Sequence, residues 1–134
     1  MASMTKAHCF VGDLGLKKHE LNTDQLKVYL TNATPNVTNS LKSSVADISN
    51  TNGYAPADTI NLYSATGGTG TMTATDVTWT ASGGTFGPFR YVVLYNETAT
   101  DDPLVGWWDY GSNITLNDTE TFTVDFGASV LTIA

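Results

Sequence analysis

The sequence is short of charge, of cysteine and of long apolar runs, and each shortage excludes something. Charged residues make up 14% of the 134 positions, against about a quarter in an ordinary globular domain. Six are Lys or Arg and 13 are Asp or Glu, for a net charge of −7. Such a surface repels phosphate backbones and anionic bilayers, so neither nucleic acid nor membrane is expected as a partner. The single cysteine, Cys9, has no partner for an internal disulfide. It reads as a small buried hydrophobe made in a reducing cytosol. No apolar run approaches the roughly 18 residues of a membrane helix. Met1-Ala2-Ser3-Met4-Thr5-Lys6 also lacks the apolar stretch of a signal peptide.

Threonine fills the space that charge leaves, with 22 copies. It is β-branched and suits a half-exposed pleated surface. The length fits one domain, 1–134, able to bury roughly two-thirds of its unfolded surface. Period-two alternation dominates. Phe122, Val124 and Phe126 share one face of their segment; Thr121, Thr123 and Asp125 share the other. Leu26, Val28 and Leu30 alternate in the same way, as do Val77, Trp79 and Ala81. Turn signals such as Asn52-Gly53, Gly67-Gly68 and Gly83-Gly84 separate the runs. The spacing predicts eight to ten short antiparallel strands near 7–11, 26–32, 45–49, 59–64, 69–74, 76–82, 88–96, 104–110, 119–126 and 129–133. With no βαβ alternation, the expected class is all-β, a β-sandwich, jelly roll or small barrel.

Two segments are apolar on both faces. In 88–96, Phe89, Tyr91, Val93 and Tyr95 oppose Val92 and Leu94; Leu104 to Tyr110 splits in the same way. Such strands lie centrally in a sandwich, or one face is covered by another subunit. Residues 12–25 and 33–44 read as long connections, and an extended N-terminal segment 1–25 could lie across a sister subunit. Val37, Leu41, Val45 and Ile48 come near helical spacing, but the surrounding Asn, Ser and Thr favour turns.

Catalytic, cofactor and metal sites are not expected. His8 and Cys9, neighbours on a predicted strand, would point to opposite faces, and His19 reads as a solvated loop residue. No zinc or EF-hand spacing is present; Asp101, Asp102, Asp109 and Asp118 read as solvated loop acids. Gly67-Gly-Thr-Gly70 lacks the Lys and the following helix of a phosphate loop. Asp109 and Asp125 form no organised acid–base pair. The five Asn-x-Thr sequons follow from threonine abundance. The aromatics remain. Trp107 and Trp108 are adjacent on a strand and so oppose each other; with Tyr91 and Tyr110 they are the candidate partner interface.

Taken in order, several segments resemble a widespread group of small virion proteins of tailed bacteriophages. They are His19-Glu-Leu21, the run Thr23 to Asn32, Pro35, Ala46-Asp-Ile48, Asn52-Gly-Tyr54, Val77 to Gly83, Gly87 to Asn96, Leu104 to Gly111 and Glu120 to Phe126. They cover about half the chain. The resemblance implies a capsid cement or decoration protein, or else a tail-associated protein; in a tail- or fibre-associated role the exposed aromatics would be what binds host carbohydrate. It implies a jelly-roll-like sandwich, a homo-oligomer with the trimer favoured, the major capsid protein as partner and the capsid exterior as location. It carries no catalytic residues and no cofactor.

Overall fold

A computed structural model describes residues 3–134. Its ten strands, among the described residues, are β1 (Thr5–Lys6), β2 (Leu26–Thr31), β3 (Ala57–Asp58), β4 (Asn61–Thr66), β5 (Thr69–Ala74), β6 (Val77–Thr80), β7 (Phe86–Asn96), β8 (Leu104–Leu116), β9 (Thr121–Val124) and β10 (Leu131–Ile133). One helix, α1 (Cys9–Gly15), and a 3-10 turn (Lys42–Ser44) complete the regular structure. Every strand pairing is antiparallel, so the chain is all-β as the alternation predicts. No helix among the described residues is long and apolar enough to cross a membrane.

The principal sheet runs β1-β8-β7-β2-β3. A three-stranded sheet, β10-β5-β4, and a two-stranded sheet, β6-β9, pack against one of its faces. The pairings are nested: β5 with β10, β6 with β9 and β7 with β8. A long hairpin has thus been wound over itself, the jelly-roll-like course, with one layer split into two small sheets. Leu26, Val28, Leu30, Phe89, Val92, Leu94 and Trp108 of the principal sheet meet Met72, Trp79, Phe122, Val124 and Phe126 across the sandwich. Phe89 and Phe122 meet edge to face at 5.0 Å, a geometry that aromatic quadrupoles favour.

The opposite face of the same sheet carries a second core of Tyr29, Tyr91, Val93, Tyr95, Leu104 and Trp107, closed by Ala7 and Val45 with Val37 and Cys9 packed against it. The connection 33–48 therefore covers its own sheet. It is tied down by backbone bonds from His8 to Val37 (2.9 Å), Leu104 to Ser40 (2.9 Å) and Lys42 to Asp102 (2.9 Å). Tyr29 donates its hydroxyl to the Val45 carbonyl at 2.9 Å. The Lys42 ammonium sits 4.9 Å from the Tyr29 ring centre and 5.5 Å from that of Tyr95, a cation–π lid over the cluster.

Four local expectations change. The strand expected at 7–11 is instead β1 followed by α1, which buries Phe10 against the main core. Cys9 is half-buried at the start of that helix, and His8 is exposed before it. Residues 45–49 form no strand, although Val45 itself is extended. Phe89 belongs to the main core rather than to the face of Tyr91, because the β7–β8 register shifts between them and resets the alternation.

Tyr54 fastens the loop 45–54 to β2. Its oxygen accepts the Leu30 N–H at 2.8 Å and its hydroxyl donates to the Asp47 carboxylate. Burial holds the Asp47 carboxyl above the usual carboxylate range, a shift that the Tyr54 hydrogen bond opposes. Tyr54→Phe would leave a buried N–H and a half-buried carboxylate without their partner. The expected loss is about 1–3 kcal/mol of unfolding free energy, measured by urea denaturation with the m-value unchanged.

Candidate interaction surface

The four aromatic residues singled out from sequence separate in the structure. Trp107 and Trp108 do lie on opposite faces, Trp107 in the second core and Trp108 in the main one. Tyr91 joins Trp107. These three are 8%, 7% and 5% exposed for Tyr91, Trp107 and Trp108, whereas Tyr110 is 50% exposed. What the four residues offer a partner from the folded chain is therefore chiefly the Tyr110 ring.

An irregularity in β8 puts Tyr110 at the surface. Phe89 pairs with Ile114, and Tyr91 pairs with Asp109. Tyr110, Gly111, Ser112 and Asn113 thus oppose Arg90 alone, an outsized bulge. Gly111 has a φ of 99°, a region that costs glycine nothing. Asp109 secures the bulge by accepting the Gly111 N–H at 2.8 Å. The same carboxylate takes two bonds from Arg90, Nε at 2.8 Å and Nη2 at 3.2 Å. The Arg90 guanidinium, helped by the Gly111 N–H, holds the Asp109 carboxyl below the usual carboxylate range. The Tyr110 ring is backed by Phe122 at 5.6 Å. An exposed ring beside a planar ion pair can stack on an apolar or sugar face while polar groups bond at its rim.

A groove runs between the facing edges of β1 and β10, lined by Met4, Trp108, Asp125, Phe126, Val130 and Leu131. Towards α1 it continues over Phe10, Val11, Leu14 and Ile133. Val11 and Leu16 of this region are exposed. Among the described residues, no three His, Cys, Asp or Glu side chains gather into a metal-holding group. The Cys9 thiol is pushed up by burial and faces the carbonyls of Leu104 (3.6 Å) and Ser40 (3.7 Å). It therefore remains a neutral thiol, a poor nucleophile.

His19 is buried, contrary to the solvated position expected of it. It packs on Phe10 at 5.2 Å, and its Nδ1 accepts from Asn96 Nδ2 at 3.0 Å. Asn96 is fully committed. Its Nδ2 also donates to Asp24 at 2.7 Å, and its Oδ1 accepts the N–H groups of Thr98 and Ala99. These bonds fix the amide orientation and therefore the His19 tautomer, with the proton on Nε2. The N-terminal loop is so locked to the turn after β7. The sequence signal was Asn96 two residues before Thr98, the pattern of an Asx turn.

Three expected outcomes follow from these positions. Trp107→Ala should cost about 3–5 kcal/mol by urea denaturation, as a buried ring does. Tyr110→Ala should cost about 1 kcal/mol, the scale of one aromatic pair. Burial also depresses the His19 pKa below 6.5, although Asp13 and Asp24 pull it upward and Lys18 adds to the depression. Below pH 6.5 the unfolded chain then binds more protons than the native one. Stability should fall as pH drops from 6.5 towards the native value, by about 1.4 kcal/mol per unit of depression. His19→Gln should flatten that part of the pH–stability curve, followed by thermal melts.

Comparison with protein-family models, with curated protein sequences and with solved structures found no match for this chain.

Proposed function

We propose that the protein is a decoration, or cement, protein of a tailed-bacteriophage particle. It binds the outer shell, contacts the major capsid protein and stabilises capsomers by protein–protein contacts. It works as a homo-oligomer and needs no cofactor and no catalytic centre. The observation that carries this reading is where the resembling segments fall. They lie on β2, β6, β7, β8 and β9 and on the loops that fasten them. What the resemblance tracks is therefore a self-supporting scaffold rather than a reactive cleft.

The surface supports the same role. Thr78, Thr80, Thr121 and Thr123 are exposed on the outside of the β6-β9 sheet, and the hydroxyls of Thr78 and Thr123 bond at 2.8 Å. A hydroxyl-coated, acidic exterior keeps free subunits soluble before assembly. Many modest contacts repeated over a shell then add up through avidity. A tail- or fibre-associated role with carbohydrate recognition is the second reading. The exposed Tyr110 ring beside the Arg90–Asp109 pair favours it.

Purified protein added to shells that lack it should bind in regular, many-copy fashion and raise their heat-disruption temperature, followed by light scattering and cryo-electron microscopy. Shells of equal thermal stability with and without it would overturn the decoration role. Binding confined to the tail, with glycan affinity lost on Tyr110→Ala, would establish the second reading instead.

A further inference from the structure

The sheet edges of this protein are not treated alike. β1 and β3 are two residues long, and β10 is three. β1 carries Lys6, and β3 carries Asp58 within 3.4 Å of the Lys27 ammonium, which also reaches Glu97 at 3.2 Å. Short length and charge are the usual means of blunting an edge against strand addition. β4 has neither. It is six residues long, pairs only with β5, and lies in the longest uncharged stretch of the chain, residues 59–75. Among the described residues, two of the five exposed large hydrophobics are here, Ile60 at 70% and Leu62 at 66%.

The register shows which backbone groups are free. Gly67 and Gly68 have φ of 60° and 81°, the two positive values of a two-residue type I′ turn. Thr66 and Thr69 close that turn as a hydrogen-bonded pair, and such pairs alternate along an antiparallel ladder. The Thr75 N–H bond to the Ile60 carbonyl, 3.1 Å, fits the same phase. Leu62, Ser64 and Thr66 therefore direct their backbone groups at β5. Asn61, Tyr63 and Ala65 direct theirs outward. The edge is anchored at one end, where Asn61 Nδ2 donates to the carbonyls of Leu21 (3.1 Å) and Asp24 (3.3 Å). The Tyr63 ring lies over Gly70, where an added Cβ would fall within 1.7 Å of its hydroxyl.

We infer that β4 is a self-association edge, pairing antiparallel with β4 of a second copy about a two-fold axis at Tyr63. In that register Asn61 faces the partner's Ala65 and Tyr63 faces its own counterpart, so every outward N–H and C=O of the three residues gains a mate. Charge selects the occupant. A chain of net charge −7 repels its copies through most of its surface, and only an uncharged face lets two of them approach. A basic partner would instead be drawn to the acidic remainder. The contact is isologous and closes on itself, joining the two three-stranded sheets into one of six strands. The inference rests on the self-association in the proposed function but names a pairwise contact rather than a threefold ring.

Sedimentation velocity of the full chain over roughly 0.1–100 μM, which brackets a Kd of about 1 μM, tests it. A concentration-dependent dimer is expected. Ala65→Pro removes an outward N–H and spares the β5 ladder; Leu62→Lys places a charge on the edge. Each should raise Kd by roughly tenfold or more, with circular dichroism and melting temperature held close to wild type. A monomer throughout the range would overturn the pairing. So would a trimer, or any oligomer that both variants leave intact, and either of these would leave shell binding as a separate question.

Discussion

The structure depends on one constraint: the strands β2, β7 and β8 are apolar on both faces, so the sheet they form cannot leave either face to water. The wound hairpin covers one face with the two small sheets. The other is covered by the chain itself, through the connection 33–48 and Ala7 at the entrance to α1. Burying rings such as Tyr29 and Trp107 in that second layer contributes on the order of 1.5–3 kcal/mol each. It also obliges the loop to satisfy its backbone against the sheet's margins, as it does at Val37, Ser40 and Lys42. Tyr29 and Tyr54 couple the layers because each crosses from an apolar site to a polar one.

Both faces of the central sheet are sealed within one chain, which leaves strand edges and irregularities among the open places of the fold. Two such places differ in character. The bulge of β8 displays a ring held by an ion pair, suited to directional recognition. β4 displays backbone groups along an uncharged margin, suited to extension of the sheet. The covering loop 33–48, although long enough to reach a neighbour, is committed to its own core.

The strands were legible wherever alternation was strong. β5 lies where the sequence places it, and β2, β6 and β7 differ only at their ends, because β-branched and aromatic residues repeat at period two there. The opposed directions of Trp107 and Trp108 were legible for the same reason. The burial of Trp107 was not, since it depends on Val37 and Val45, more than 60 positions away in a segment rich in Asn, Ser and Thr. α1 was missed because it is seven residues with two glycines, too short for propensity and held by the packing of Phe10. β8 runs past Tyr110 because Gly111-Ser112 is an excursion inside a strand, which reads in sequence like the end of one. His19 was misplaced because the bond that buries it comes from Asn96, on the far side of the sheet's winding.

The excursion at Gly111 and Ser112 has a practical corollary. Four residues there stand opposite one, outside the ladder on either side, and the ends of the detour are pinned by Asp109 and Ile114. Foreign peptide spliced between Gly111 and Ser112 would hang from a rigid pedestal without entering either core, which makes this detour the natural place to mount an epitope or an affinity label.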